Sequence, residues 1–213
     1  MNKPGIILVI SSPSGTGKTT ICHKLIDEYR DYQYSISATT RKPRGQEKHG
    51  VDYFFMSEKD FLQAREAGEF IETAQYLDQW YGTPLKPALD AVEQGKTILL
   101  DIDIQGGRAI KNQLPQAVTI FLLPPSLAEL ERRLTERRTE APELIKKRLV
   151  KASEELKCWT EYDYVVVNDI LEEATREIDN IVGSEKNRTG RLTDKRYWKK
   201  SLIELLGLDG NRR

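Results

Sequence analysis

The stretch Ser12-Pro-Ser-Gly-Thr-Gly-Lys-Thr19 decides how this chain folds, because it joins an apolar run to a helical pattern. The run before it, residues 6–10, is continuously apolar, which is typical of a strand buried on both faces of a parallel sheet. After it, Ile21 and Leu25 recur at helical spacing. Glycines in the turn let backbone N–H groups point inward, and the helix adds its positive N-terminal end. The stretch therefore predicts an anion-binding turn.

The residue types in this turn match the P-loop pattern G-x-x-x-x-G-K-[ST], whose backbone surrounds phosphates. Gly17, Lys18 and Thr19 match it, and Ser12 occupies the first glycine position. We expect Lys18 to reach the β- and γ-phosphates of ATP and the Thr19 hydroxyl to bind Mg²⁺. A glycine-rich turn with a solvated lysine is the alternative, and the strand–turn–helix context argues against it. The predicted ATP-binding residues are Ser12, Pro13, Ser14, Gly15, Thr16, Gly17, Lys18, Thr19 and Thr20.

A second apolar run, Thr97-Ile-Leu-Leu, ends in Asp101, and Asp103 follows two residues later. An acid at the end of a strand is common without any function. Together with Lys18 and Thr19, however, Asp101 is predicted to hold Mg²⁺, through water, and Asp103 to meet a second ligand.

Further short apolar runs predict strands at Tyr34–Ser37, Val118–Leu123 and Tyr164–Val167. Helical patterns lie between them, with Ser126 as a candidate N-cap and Pro142 at a first helical turn. Strands that alternate with helices indicate an α/β fold with right-handed crossovers. We therefore predict an α/β fold with a five-stranded parallel sheet core flanked by helices.

Two segments interrupt this alternation. From about residue 39 to 95 the chain has a polar, turn-rich opening, aromatic strand pieces (Tyr53-Phe-Phe55 and Phe70-Ile71) and a short helix starting near Ser57, which predicts an inserted subdomain. The second segment, from residue 131 to 149, is dense in arginine and glutamate. The chain after residue 183 is basic before a final apolar patch, and we expect a solvated extension that ends in a helix, with nucleic-acid contact as the minor alternative.

Composition limits the function classes. The 33 Lys+Arg balance 33 Asp+Glu, and this zero net charge argues against a protein that coats nucleic acid or an anionic membrane. The longest apolar run is far shorter than the roughly 20 residues that a membrane span needs, and no signal peptide is evident. Cys22 and Cys158 are isolated, which favours reduced thiols over a disulfide. These features predict a cytoplasmic protein with no membrane or nucleic-acid partner; they leave the oligomeric state open.

The inserted segment opens with Thr39-Thr-Arg-Lys-Pro-Arg44 and continues to Asp52-Tyr53. Two arginines around a proline form a rigid fork suited to one phosphate monoester, to which a tyrosine hydroxyl can add a donor. Phe70-Ile-Glu72 and Tyr81-Gly-Thr83 follow. In the order T-T-R-x-P-R, G-x-D-Y, F-I-E, Y-G-T and L-D-I-D-x-Q-G, these motifs resemble the guanylate kinase family, and the resemblance extends to the stretch 162–169.

The resemblance implies a P-loop kinase fold, with an inserted NMP-binding subdomain and a mobile lid, and phosphorylation of GMP by ATP with Mg²⁺. It assigns the GMP phosphate to Arg41, Arg44, Tyr53 and Tyr81, and the guanine to Ser37, Glu72, Thr83 and Asp103. The chemistry agrees, because guanine presents N1–H and N2–H₂ donors to a carboxylate and an O6 acceptor to a hydroxyl. A surface carboxylate on a strand is the alternative for Glu72.

The arginine-dense segment resembles the mobile lid of that family, which closes over ATP. Arg133, Arg137 and Arg148 match best, so the predicted catalytic residues are Lys18, Arg41, Arg137 and Arg148. The family's G-R-G-T reads Glu136-Arg-Arg-Thr139 here, which leaves open whether Arg137 or Arg138 acts on the transferred phosphate. A solvated helix whose arginines pair with neighbouring glutamates is the alternative.

The resulting division is a kinase-like domain over 1–186, with a core (1–38, 96–130 and 150–186), a GMP-binding insert (39–95) and a lid (131–149), followed by a basic extension (187–213). Two competing functions remain: a related P-loop kinase for a sugar phosphate, which would have no reason to keep Glu72 and Thr83, and a catalytically silent protein-binding module, which would not need Lys18, Thr19 and Asp101.

Overall fold

The computed structural model describes residues 4–76, 78–136 and 142–191. Its strands are β1 (Ile6–Ser11), β2 (Tyr32–Tyr34), β3 (Ala38–Thr39), β4 (Phe54–Phe55), β5 (Phe70–Tyr76), β6 (Gln79–Pro84), β7 (Thr97–Asp101), β8 (Val118–Leu123) and β9 (Tyr164–Val167). Its α-helices are α1 (Lys18–Glu28), α2 (Glu58–Glu66), α3 (Leu85–Glu93), α4 (Ile104–Gln113), α5 (Leu127–Glu136), α6 (Pro142–Glu155) and α7 (Leu171–Glu185). Short 3₁₀ helices cover Leu156–Glu161 and Thr189–Arg191.

The main sheet has the strand order β2-β7-β1-β8-β9, and every neighbouring pair in it is parallel. The predicted five-stranded parallel core is therefore confirmed. One strand was placed wrongly: β2 covers Tyr32–Tyr34, not Tyr34–Ser37. Its pairing with β7 ends at Tyr34, which is in register with Leu99. The Ser35 N–H makes one more hydrogen bond, to the Leu99 carbonyl, and the chain then enters a second sheet.

Side chains of β1 alternate between two separate hydrophobic clusters, which is why its sequence is apolar throughout. Leu8 and Ile10 pack on one face with residues of α1 and α7. Ile7 and Val9 pack on the other face with residues of α3 and α4. Helices thus cover both faces of the sheet, and the ends of its parallel strands are left to carry polar groups.

The second sheet has the strand order β4-β3-β6-β5 and lies within the segment predicted as an insert. Its own small core joins Phe61 of α2 to Phe70 of β5, whose rings stack with centroids 4.6 Å apart. The Ser57 side chain accepts from the Asp60 N–H and so caps α2, where the sequence predicted a helix start. Helix α3 follows this sheet but packs on the main sheet through Ala88 and Ala91.

Helices α5 and α6 form a separate layer with a small core of Leu130, Leu134 and Ala152. The Ser126 hydroxyl accepts from the Glu129 N–H at 3.1 Å, which confirms the predicted cap, and Pro142 is the first described residue of α6. Residues 137–141, between the two helices, lie outside the described residues, and so does the extension from 192 onward. Within the described ranges, no helix has the length and apolar character needed to cross a bilayer.

Candidate functional site

The glycine-rich turn forms one wall of a cavity of about 450 Å³ at the carboxyl end of β1. Gly15 and Gly17 have φ values of 92° and 93°, a left-handed conformation that favours glycine. Gly17 is the N-cap of α1, so the first N–H groups of the helix lack helical partners and face the turn. The cavity is lined by all nine predicted ATP-binding residues together with Asp103, Arg148, Lys151 and Glu155. Such a cavity is suited to phosphate groups.

Asp101 lies beside this turn because β1 and β7 are parallel neighbours and Ile10 is in register with Asp101. The Thr19 hydroxyl donates to Asp101 Oδ2 at 3.1 Å. The Lys18 ammonium forms an ion pair with the same carboxylate and donates to the Ile102 carbonyl at 2.9 Å. The structure therefore brings together the three residues that the sequence singled out for phosphate and metal.

The predicted lid arginines have different positions. Arg148 lines the phosphate cavity. Arg137, like Arg138, lies outside the described residues. Arg133 is behind the turn: its guanidinium donates to Glu129 at 2.7 Å, to the Thr16 carbonyl at 3.3 Å and to the Asn168 carbonyl at 3.1 Å. In this structure Arg133 contacts the wall of the cavity from outside.

A second cluster of predicted site residues surrounds Arg41. Both terminal nitrogens of its guanidinium donate to the Glu47 carboxylate, each at 2.9 Å, and the Glu47 carboxylate raises the pKa of Arg41. The hydrogen bonds from Arg41 in turn lower the pKa of Glu47. The guanidinium carbon lies 5.2 Å from the centroid of the Tyr53 ring, and the rings of Tyr53 and Tyr81 meet edge to face. Arg44 is exposed, and its backbone N–H donates to Glu47 at 2.7 Å.

A third cluster contains the residues predicted to bind guanine. The Thr83 hydroxyl, which is buried, donates to Glu72 Oε1 at 2.8 Å. Burial raises the pKa of Glu72, the nearby charge of Asp103 raises it further, and the bond from Thr83 opposes both. Asp103 also has a role that the sequence analysis missed, because its Oδ1 accepts from the Gly106 N–H and caps α4. Ser37 is half-buried, and its carbonyl accepts from the Phe54 N–H at 2.8 Å.

Strand register places the second and third clusters on one face of the second sheet. Tyr81 and Thr83 are two residues apart on β6 and so point to the same side. Glu72 of β5 is the cross-strand partner of Thr83. The two clusters are therefore separated along β6 by about 7 Å, the rise of two strand residues. Asp103 lines the phosphate cavity and also raises the pKa of Glu72, so this face adjoins the glycine-rich turn.

Two features of the site were not identified from the sequence. Glu47 is the partner of Arg41, and the signal was an acid placed just after a Pro-Arg-Gly turn. Asn168 directly follows β9, and its side-chain amide donates to the Thr16 carbonyl at 2.7 Å. A buried polar residue at the carboxyl end of a predicted strand was the available signal, because this edge of a parallel sheet collects functional groups.

Comparisons with known proteins identify the family of this chain. The guanylate kinase family model matches residues 5–185. A guanylate kinase from Clostridioides difficile is 46% identical over 189 residues, covering 89% of this chain and 92% of the relative, and one from Myxococcus xanthus is 46% identical over 190 residues, covering 89% and 91%. The crystal structure of guanylate kinase from Anaplasma phagocytophilum superposes with a TM-score of 0.70 at 35% identity, covering 99% of this chain and 98% of that one. The chain belongs to the guanylate kinase family.

Proposed function

We propose that this protein transfers the γ-phosphoryl group of ATP to GMP and releases ADP and GDP. The observation that carries the proposal is the hydrogen-bonded pair of Glu72 and Thr83 on the same sheet face as the Arg41 cluster, beside the glycine-rich turn. Membership of the guanylate kinase family supports it.

Guanine fits the Glu72 and Thr83 pair by its pattern of donors and acceptors. A carboxylate at Glu72 accepts from the N1–H and N2–H₂ groups. The Thr83 hydroxyl, which donates to Glu72 in this structure, would turn to donate its one proton to O6 when guanine binds. Adenine has an acceptor at N1, so it would leave the half-buried carboxylate facing a lone pair. Sites that depend on such matched polar groups reject the wrong partner by about 10⁴-fold or more. Ser37 and Asp103 are the other two residues proposed to contact guanine.

The GMP phosphate is assigned to the cluster around Arg41, together with Arg44 and the hydroxyls of Tyr53 and Tyr81. A guanidinium held by a carboxylate in a fork keeps its remaining donors in a fixed direction. Glu47 therefore orients Arg41 before GMP arrives.

The phosphates of ATP are assigned to residues 12–20, where backbone N–H groups and the end of α1 supply positive potential. Lys18 is proposed to contact the transferred phosphoryl group. Arg148 lines the same cavity and would add positive charge there, with Arg137 or Arg138 as the further lid cation.

The donor set beside the turn fits Mg²⁺. The Thr19 hydroxyl and the Asp101 carboxylate are adjacent hard oxygen groups, and Asp101 would act through water. Among the described residues, no cluster of three or more His, Cys, Asp or Glu side chains could form a metal cage, so most ligands would come from phosphates and water. Bound there, Mg²⁺ would neutralise charge on the β- and γ-phosphate oxygens.

The residues of this chain would work mainly by positioning and charge. The nucleophile is a phosphate oxygen of GMP that is already ionised, so no general base is needed. It forms a bond to the γ-phosphorus as the bond to the β-phosphate oxygen breaks. Lys18 and the arginines stabilise negative charge spread over the transferred group. We propose that the insert (39–95) and lid (131–149) close over the core and exclude water, and that the protein works in the cytoplasm.

The test is ADP release from ATP and Mg²⁺ with a panel of acceptors: GMP, dGMP, AMP, UMP and ribose phosphates. We expect turnover with guanine nucleotides and background rates with the others. Turnover on a ribose phosphate would replace the proposal with a sugar-phosphate kinase. Background rates with every acceptor, in a folded protein, would contradict an enzymatic role.

A further inference from the structure

We infer that Asn168 is a positioning residue for phosphate binding: it holds the Thr16 carbonyl outside the glycine-rich turn and thereby directs the Gly17 N–H into it. This inference deepens the proposed function and rests on residues 12–20 being the site of the ATP phosphates. Asn168 directly follows β9 and lies 152 residues after Thr16 in the chain, so the sequence of the turn does not reveal it.

The contact is short, buried and well supported. Asn168 is 5% exposed, and its amide nitrogen donates to the Thr16 carbonyl at 2.7 Å. The backbone N–H of Asn168 donates to the Leu123 carbonyl at 2.8 Å, so the end of β8 holds the residue in place. Arg133 approaches the same Thr16 carbonyl at 3.3 Å and also bonds to the Asn168 carbonyl. Two side chains from outside the turn therefore fix one peptide oxygen within it.

Fixing that oxygen also fixes the adjacent donor. The described part of the chain has no cis peptide bonds, so the carbonyl of Thr16 and the N–H of Gly17 point in opposite directions across one planar peptide group. Asn168 and Arg133 line a neighbouring cavity that shares Gly15, Gly17 and Thr20 with the phosphate cavity, and neither of the two side chains lines the phosphate cavity itself. A carbonyl drawn toward Asn168 therefore turns the Gly17 N–H toward the phosphates.

Without this constraint the same peptide can rotate. Rotation of this peptide changes ψ of Thr16 and φ of Gly17, and Gly17, with φ of 93°, can adopt either sign of φ at little steric cost. A flipped Thr16–Gly17 peptide would present its carbonyl oxygen to the phosphate, and the partial negative charge of that oxygen would repel the phosphate oxygens. Asn168 also limits the space beside the turn, since a Cβ at Gly17 would lie 2.6 Å from its amide nitrogen.

The decisive variant is Asn168→Asp, which keeps the shape but replaces the donor with an oxygen that repels the Thr16 carbonyl. We expect kcat/KM for ATP to fall by about 10- to 100-fold, as for a buried hydrogen bond replaced by a repulsive contact between two oxygens. The fall should appear in KM for ATP, and the ATP dissociation constant, measured by calorimetry without GMP, should rise in parallel. KM for GMP should change by less than about twofold, because no bond to the residues proposed to bind GMP is lost.

Asn187→Asp is the matched control. The Asn187 amide also donates to a backbone carbonyl, that of Gly183, at 2.7 Å, but at an exposed position after α7. It should leave both Michaelis constants unchanged. A merely structural role for Asn168 would lower the thermal midpoint and kcat without changing ATP affinity, and that result would overturn the inference.

If Asn168→Asp shows no cooperative unfolding transition, it is not folded and cannot serve as the test. Asn168→Ser then takes its place, since serine is neutral and too short to reach the Thr16 carbonyl. Unchanged ATP affinity in a folded Asn168→Ser protein would overturn the inference, and weakened affinity would support it. Failure of the proposed function is separate, because it would appear in the unsubstituted protein as absent turnover of GMP.

Discussion

The two regions proposed to bind phosphate are built in opposite ways. The turn at 12–20 is contiguous and uses backbone N–H groups, two left-handed glycines and a helix end. The acceptor region, formed by the Arg41 cluster and the Glu72–Thr83 pair, takes side chains from two strands, β5 and β6, and from the loops beside them. The Arg41–Glu47 and Glu72–Thr83 contacts hold it in place. A backbone site binds any phosphate of suitable shape, whereas a side-chain site can distinguish one nucleotide from another. The division suits a kinase that must choose its acceptor strictly.

The largest expected effect tests the contiguous region. Lys18→Ala should lower kcat by about 10³-fold or more, because a cation proposed to contact the transferred phosphoryl group is lost. GMP affinity and the thermal midpoint should stay close to those of the unsubstituted protein. Lys24→Ala is the matched control, since Lys24 is on the same helix and is also paired with carboxylates. Near-normal turnover by Lys18→Ala would contradict the assignment of the glycine-rich turn to the ATP phosphates.

The next effect tests the acceptor region. Glu72→Gln should reduce kcat/KM for GMP by about 100-fold, because an amide cannot accept from both guanine donors. The dissociation constant of ATP should be unchanged, which steady-state kinetics combined with calorimetry can check. Glu69→Gln changes an exposed acid close by and should have no effect. A loss of ATP affinity with GMP use intact would show that the two regions were assigned the wrong way round.

A smaller effect is expected where the acceptor region is preorganised. Glu47→Gln removes the charge that holds Arg41 in its fork, so KM for GMP should rise by about tenfold with little change in kcat. Glu66→Gln, an exposed acid on α2, serves as the comparison. An unchanged KM would mean that Arg41 needs no preset orientation.

The smallest effect concerns stability. Burial raises the pKa of Glu72, so the Glu72 carboxyl group binds its proton more tightly in the folded protein than in the unfolded chain. The free energy of unfolding therefore falls as the pH rises from the unfolded pKa through the folded pKa. Glu72→Gln removes this ionisation but keeps an acceptor for Thr83. Its thermal midpoint without nucleotide should exceed that of the unsubstituted protein, and by more at pH 8 than at pH 5. A lower midpoint at pH 8 would contradict a buried, costly charge in the acceptor region.

The comparison also explains what could be predicted. The turn, Asp101 and four of the five core strands were predictable because local residue order sets glycine conformation, strand burial and helix start. The prediction for β2 was wrong because the bounds of this strand are set by its pairing with β7, which is distant in the sequence and leaves no local pattern. Asp103 was predicted to contact a ligand, but its role as cap of α4 depends on where that helix begins.

By itself, the sequence determined the glycine-rich turn, the parallel α/β core and the family, because these depend on contiguous residues and their spacing. Only the tertiary structure decided which distant side chains meet: Thr83 with Glu72 through the register of β5 and β6, and Asn168 and Arg133 with Thr16 behind the turn. The physical reason is that strand register and helix packing, set by the whole core, bring together residues that are far apart in the chain.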